Sequence, residues 1–189
     1  MPLRPCGVVG SGTRPAGAWP AAAGTVPVRQ GVRLAVDAGS VRVGVARSDP
    51  GGILASPLTV LRSGPRGPGK RAELDELATL AAGADAIEVI VGLPTSLSGR
   101  EGTAAAAARG FAAELAGRLA PIPVRLVDER FTTTQAHDAL RRGGKDSRAR
   151  RSTVDAAAAA VLLQTALDTE RATGRPPGQL VALTGGADA

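Results

Sequence analysis

Alternating apolar and polar positions begin just after residue 31 and continue to residue 62. The stretches VRLAVDAG (32–39) and VRVGVARSDP (41–50) place apolar side chains at about every second position, which is typical of β-strands with one buried face. Gly51 and Gly52 mark a turn into a third stretch, ILASPLTVLR (53–62). Because the connections are short, the pattern predicts an antiparallel meander of three strands, β1 to β3.

After residue 70 the pattern changes to an alternation of helices and strands. Leu74, Leu77 and Leu80 recur at helical spacing, whereas the next apolar run has the length of a buried strand. The predicted order is helix, strand, helix, strand, helix, helix, over the segments 71–82, 86–94, 102–120, 122–129, 132–144 and 151–171. Strands joined through helices run parallel. The sequence therefore predicts an α/β single domain with a mixed five-stranded sheet, made of the β1-β2-β3 meander and two parallel strands, with helices on both faces.

Both ends of the chain lack hydrophobic periodicity. Residues 1–30 are rich in Gly, Ala, Pro and Arg, and residues 174–189 are similarly loose in pattern. We expect a disordered basic leader at 1–30 and a disordered tail at 174–189, which leaves 31–173 as the folded domain. No apolar run approaches the ~20 residues that span a bilayer. The single cysteine, Cys6, excludes an intrachain disulfide and favours a cytoplasmic location.

The net charge of +6 and the pI of about 11.1 indicate an anionic partner. Most of this excess lies in the ends of the chain, since residues 31–170 contain 18 basic and 16 acidic side chains. Local clusters of charge are therefore more informative than the total. One histidine and one cysteine exclude a zinc site of the usual kind, and the scarcity of aromatic residues excludes a stacking platform for unpaired bases.

Acidic residues stand at the ends of two predicted strands and near the start of the last helix. Asp37 closes the first strand, Asp128 and Glu129 end the strand at 122–129, and Asp155 falls in the predicted first turn of the last helix. The carboxyl ends of parallel strands meet at one edge of a sheet, so these carboxylates are expected to converge. Their oxygens suit Mg²⁺ or Mn²⁺, and two such ions can promote phosphodiester cleavage.

Each of these acids also has a purely structural interpretation. Asp37 could bind the amides of the turn that follows it, and Asp155 could compensate a helix dipole. Asp128 or Glu129 could pair with Arg130 at the surface. Since neighbours on a strand face opposite sides, only one of these two acids can point into a site, and the pattern leaves open which one.

A cluster of cations precedes Asp155. Residues 141–151 contain six basic side chains and one acid, and a flexible basic loop beside an acidic site suits a nucleic-acid backbone. A solvated run of charge is the alternative. With Arg42 and Arg130 added, the candidate nucleic-acid-binding residues are Arg42, Arg130, Arg141, Arg142, Lys145, Arg148, Arg150 and Arg151.

Four stretches, in the same order, resemble the YqgF/RuvX family of pre-16S rRNA nucleases: LAVDAGSVRVGVARSDP, EVIVGLPTSLSG, VRLVDERFTTTQA and VDAAAAAVLLQ. The resemblance covers roughly residues 32–170. It implies a ribonuclease H-like fold, similar to that of Holliday junction resolvases. It also implies that Asp37, Glu129 and Asp155 are the catalytic and metal-binding residues, which selects Glu129 over Asp128.

The activity that the resemblance implies is a cytoplasmic, Mg²⁺- or Mn²⁺-dependent endonuclease with a two-metal site. Its reaction would be trimming of the 5′ end of the pre-16S rRNA during ribosome biogenesis. A Holliday-junction-type DNA resolvase, which would favour a homodimer, and a non-catalytic RNA-binding assembly factor are the alternatives. The expected partner is therefore structured RNA or branched DNA.

Overall fold

A computed structural model of the protein describes residues 28–64, 71–94, 102–129 and 148–183, with the backbone alone described for 148–153. These ranges contain six strands and three helices. The strands are β1 (Arg33–Ala38), β2 (Arg42–Ser48), β3 (Ala55–Arg62), β4 (Glu88–Leu93), β5 (Val124–Asp128) and β6 (Gln179–Leu180). The helices are α1 (Ala72–Gly83), α2 (Thr103–Leu119) and α3 (Arg148–Thr173).

The strands form one mixed sheet in the order β3-β2-β1-β4-β5-β6. The first three strands pair antiparallel, which confirms the predicted meander, and β4 and β5 continue the sheet parallel to β1. The carboxyl ends of these three parallel strands therefore lie at one edge of the sheet. This is the edge at which the sequence predicts an acidic site.

Apolar layers cover both faces of the sheet, as predicted. Val36 and Val91 point to the layer formed by α1 and α2, where they share a buried cluster with Leu115. Ala35 points the opposite way and shares a second cluster with Leu163 of α3. Successive residues of a strand therefore point alternately to the layer of α1 and α2 and to the layer of α3.

The sheet has one strand more than predicted. β6 consists of two exposed residues that pair antiparallel with β5, and it lies inside the segment predicted as a tail. A strand this short, preceded by two prolines and a glycine, has no period that a sequence pattern could reveal. The helix predicted over 132–144 lies outside the described residues. In the described part of the chain, no helix combines the length and apolar character needed to cross a membrane.

A buried ion cluster lies at the edge of the sheet opposite the acidic one. Its members are Arg29, Arg33, Glu88, Arg125 and Glu170. Arg29 is held by two of the buried acids: its Nη2 donates to Glu88 Oε2 at 2.8 Å, and its Nε donates to Glu170 Oε1 at 2.9 Å. Arg29, a residue of the predicted leader, therefore makes ion pairs with the folded domain, whereas residues 1–27 lie outside the described residues.

Burial and charge pairing shift the pKa values of Glu170 and Arg33 within this cluster. Desolvation raises the pKa of Glu170, but hydrogen bonds from Arg29 and the charges of Arg33 and Arg29 outweigh it, so the pKa lies below its ordinary value. Burial lowers the pKa of Arg33, against the attraction of Glu170 and Glu88. The ion cluster ties the end of α3 to the start of β1 and β4, and so fixes how α3 lies along the sheet.

Candidate functional site

The site is built around a row of three residues on the α3 face of the sheet, the Gly44–Asp37–Gly92 row. Asp37 pairs directly with Gly44 of β2. On its other side Val36 pairs with Val91 of β4, so Gly92 lies next to Asp37. Asp37 follows Ala35 by two residues, which puts its side chain on the face that carries α3. A carboxylate thus stands between two positions that have no side chain.

Gly44 allows α3 to approach the sheet closely. A Cβ at this position would overlap the backbone carbonyl of Asp155 and would lie 3.2 Å from the amide nitrogen of Ala156. No residue larger than glycine fits without moving the helix backbone. The helix therefore crosses the sheet with Asp155 directly over the β2 neighbour of Asp37.

Gly92 makes room for Glu129. A Cβ on Gly92 would lie 2.6 Å from Glu129 Oε1 and 3.2 Å from Leu162 Cδ2 of α3. The carboxylate of Glu129 consequently reaches over β4 into the space beside the row. Two acids from distant parts of the chain thus flank Asp37, one above each of its glycine neighbours.

The structure distinguishes Glu129 from its neighbour Asp128. Asp128 pairs with Leu93, and Leu93 belongs to the apolar layer under α1 and α2. Side chains of paired residues share a face, so Asp128 points away from α3. The choice of Glu129 over Asp128, which rested on the family resemblance, agrees with this geometry.

Asp155 does not lie in the first turn of its helix. Because α3 begins at Arg148, Asp155 falls in the third turn, where compensation of a helix dipole has little effect. Arg42 at the start of β2 reaches it instead, with its Nη1 3.3 Å from Asp155 Oδ2. Both side chains are partly exposed, so solvent weakens this ion pair.

The described residues do not contain three acidic, histidine or cysteine side chains close enough to form one ligand set for a metal. The fold brings the positions of Asp37, Glu129 and Asp155 to one face, but leaves their carboxylates apart, with Arg42 on one of them. In donor chemistry these carboxylates suit a hard divalent cation.

Half of the predicted nucleic-acid-binding residues lie outside the described residues, namely Arg130, Arg141, Arg142 and Lys145. Arg148, Arg150 and Arg151 belong to the first turn of α3, where only the backbone is described. The expectation of a basic loop before the predicted helix 151–171 is therefore corrected for residues 148–150, which are helical. Arg42 is the predicted cation whose side chain the structure places at the site.

Sequence reasoning missed the two glycines of the row. Glycine is unfavourable in a strand unless another group approaches closely, so Gly44 and Gly92 within apolar strand patterns were an available signal. The approaching groups are a helix backbone and the carboxylate of Glu129, the residue that follows β5, and neither can be read from the local pattern.

Comparison with known proteins gives concordant matches along the folded domain. The model of the RuvX family, described as Holliday junction resolvase, matches residues 31–169. A protein of Thermobifida fusca (strain YX) named "Putative pre-16S rRNA nuclease" is 60% identical over 161 residues, which cover 82% of this chain and 98% of that protein. A protein of the same name from Nocardioides sp. is 55% identical over 158 residues, with the same shares covered.

Solved structures provide a match at the level of the fold. T. thermophilus RuvC in complex with a Holliday junction substrate superposes with a TM-score of 0.53, covering 77% of this chain and 99% of that one at 15% identity. At this identity the likeness concerns the fold alone. It agrees with the predicted ribonuclease H-like architecture.

Proposed function

We propose that this chain, which belongs to the RuvX family, is a nuclease that hydrolyses phosphodiester bonds of the pre-16S rRNA with the help of a divalent cation. The observation that carries the proposal is the Gly44–Asp37–Gly92 row. Its two glycines admit Asp155 and Glu129 to either side of Asp37. Gly44 admits the backbone of α3 at Asp155, and Gly92 admits the carboxylate of Glu129, so the absence of both side chains brings the two acids close to Asp37.

Asp37, Glu129 and Asp155 are the residues that would hold Mg²⁺ or Mn²⁺, in a two-metal site. The ion would supply a water of lowered pKa and charge stabilisation for the leaving oxygen. The chain itself contributes orientation: β1 fixes Asp37, the crossing of α3 over Gly44 fixes Asp155, and the gap at Gly92 positions Glu129. Arg42 balances Asp155 until the ion and a substrate phosphate are present.

The substrate assignment rests on the relatives. Proteins that share 60% and 55% of their residues with this chain, over almost their whole length, are named for the pre-16S rRNA. We therefore assign the same precursor to this chain, with trimming of its 5′ end as the reaction and the cytoplasm as its place. The second candidate is cleavage of branched DNA, which the family description as Holliday junction resolvase favours, and a homodimer would suit that substrate.

A cleavage assay with matched variants tests the proposal. The substrates are an RNA that spans the 5′ boundary of the 16S rRNA and a four-way DNA junction, each with Mg²⁺, Mn²⁺ or EDTA. Glu129→Gln should lower the single-turnover cleavage rate by about 10³-fold, whereas Asp128→Asn, a change at the adjacent residue on the opposite face, should leave the rate unchanged. Cleavage of the RNA supports the first candidate and cleavage of the junction supports the second. If neither substrate is cut, the chain is better described as a non-catalytic RNA-binding factor.

A further inference from the structure

Two arginines lie directly opposite each other at the edge of the site. Arg42 of β2 pairs with Arg62 of β3. The amide of Ser63 donates to the carbonyl of Val41 at 3.0 Å, so residues 41 and 63 form a hydrogen-bonded pair and the arginines form the next, non-hydrogen-bonded one. In antiparallel sheets the side chains of non-hydrogen-bonded pairs are closer together than those of hydrogen-bonded pairs. We refer to Arg42 and Arg62 as the arginine pair.

The arginine pair lies on the face of the sheet that carries the acids. Arg42 precedes Gly44 by two residues and contacts Asp155 of α3, and a cross-strand partner shares its face. Asp155, Arg42 and Arg62 therefore follow one another from the acidic site outward to the edge strand β3. Arg62 is exposed.

The two members differ in their partners. Arg42 has Asp155 as its counter-ion, whereas Arg62 forms no hydrogen bond or ion pair within the described ranges. Like charges directly opposite each other on neighbouring strands destabilise a sheet. The fold thus places two like charges on directly opposite positions beside the site, and of the two only Arg42 has a counter-ion among the described residues.

We infer that the arginine pair binds a backbone phosphate of the nucleic acid, next to the bond that is cleaved. The inference deepens the proposed function and rests on it. A guanidinium group presents a planar fork of donors that matches phosphate oxygens, and a phosphate between the two side chains replaces their repulsion with attraction to both. Arg62, which no sequence motif indicated, is then a substrate-binding residue.

Salt-dependent binding of the full chain tests this inference. Fluorescence anisotropy is measured in EDTA, at several salt concentrations, with labelled RNA across the 5′ boundary of the 16S rRNA and with a labelled four-way DNA junction. Arg62→Gln should weaken binding about tenfold. It should also reduce the slope of log affinity against log salt by about 0.7 for single strands and about 0.9 for duplex arms. Arg62→Lys should keep the slope, because it keeps the charge.

The matched control is Arg47→Gln. Arg47 is an exposed arginine near the far end of β2, the strand that pairs with the strand of Arg62, and it too forms no hydrogen bond or ion pair with the described residues. Its loss removes one positive charge far from the site and should leave both affinity and slope unchanged. Thermal melting of each variant shows that it is folded; Arg62→Gln should melt no lower than the native chain, since a repulsion is removed.

The outcomes separate this inference from the proposed function. An effect of Arg62→Gln on RNA, on the junction or on both supports the inference and identifies the source of the phosphate. Equal binding by Arg62→Gln and the native chain, or an equal loss in Arg47→Gln, overturns it. If binding depends on Arg62 but neither nucleic acid is cleaved with Mg²⁺ or Mn²⁺, the arginine pair stands and the nuclease proposal fails.

Discussion

Replacing Gly92 by alanine tests whether the glycines of the row exist to position acids. The new Cβ would lie 2.6 Å from Glu129 Oε1, and an ordinary contact begins at 3.4 Å. The carboxylate must therefore withdraw by about 0.8 Å, which a flexible side chain can do without moving the backbone. Leu162 Cδ2, at 3.2 Å, must yield by a few tenths of an ångström.

The expected effect on activity is much larger than the effect on stability. A displacement close to 1 Å of a group that orients the reaction costs about 10²-fold in rate, so we expect single-turnover cleavage to fall by about that factor. Overpacking against one methyl group costs about 1 kcal/mol of unfolding free energy, which lowers the melting temperature by about 3 °C in a domain of this size.

Cleavage of the pre-16S rRNA substrate and thermal melting are measured on the same samples. Gly110→Ala is the control, since Gly110 lies within α2 and a Cβ there meets nothing within 4 Å. It should keep full activity and gain about 0.5–1 kcal/mol of stability. In a chain that already carries Glu129→Gln, Gly92→Ala should cause no further loss, because both changes act on one carboxylate.

Two results would refute this reasoning. One is a Gly92→Ala variant that cleaves within about threefold of the native rate while Glu129 is essential, since the carboxylate would then not be held where the structure shows it. The other is a loss that adds fully to that of Glu129→Gln, which would mean that Gly92 acts through a different group.

Three further predictions concern stability. Gly44→Ala, whose Cβ would overlap the α3 backbone at Asp155, should lower the unfolding free energy by about 3 kcal/mol; an unchanged urea midpoint would contradict the close helix approach. Arg29→Gln should lower the unfolding free energy, measured in urea, by about 1–2 kcal/mol. This is less than the cost of breaking a fully buried pair, because the Arg29 side chain is 38% exposed. An unchanged unfolding free energy would mean that Arg29 does not stabilise the folded domain. Since the folded pKa of Glu170 is lowered, the stability it contributes is present above its ordinary pKa of 4.5 and is lost as the pH falls through the folded value. Glu170→Gln should therefore flatten the acid limb of stability against pH, and an unaltered limb would contradict the pairing.

The fold could be predicted because the spacing of apolar residues along the sequence indicates which positions are buried. The strands around Val36 and Val91, with buried neighbours on both faces, leave clear patterns. The exceptions are elements whose reason to form lies elsewhere in the chain. β6 exists through pairing with β5, and Arg29 is held by acids 59 and 141 residues away, so neither leaves a local signal.

The candidate site could be predicted in its residue types and only partly in its geometry. Strand ends indicated Asp37, but the position of Asp155 was misjudged because the polar first turn of α3 does not resemble the start of an apolar helix. The alternation of side chains along the strand could not choose between Asp128 and Glu129, because that choice depends on which face of the sheet α3 covers. The arginine pair needed the β2–β3 register, which no single strand specifies.

The most direct test of the central claim is the single-turnover rate of pre-16S rRNA cleavage as a function of Mg²⁺ or Mn²⁺ concentration, for the native chain and Asp37→Asn. The account predicts a saturable dependence on the ion that EDTA abolishes. It also predicts a loss of about 10³-fold in Asp37→Asn at every ion concentration, with a melting temperature close to the native value because asparagine has nearly the same size and shape as aspartate. Cleavage that persists in EDTA, or an Asp37→Asn variant that cuts within about tenfold of the native rate, would contradict the claim that this acidic site performs the reaction.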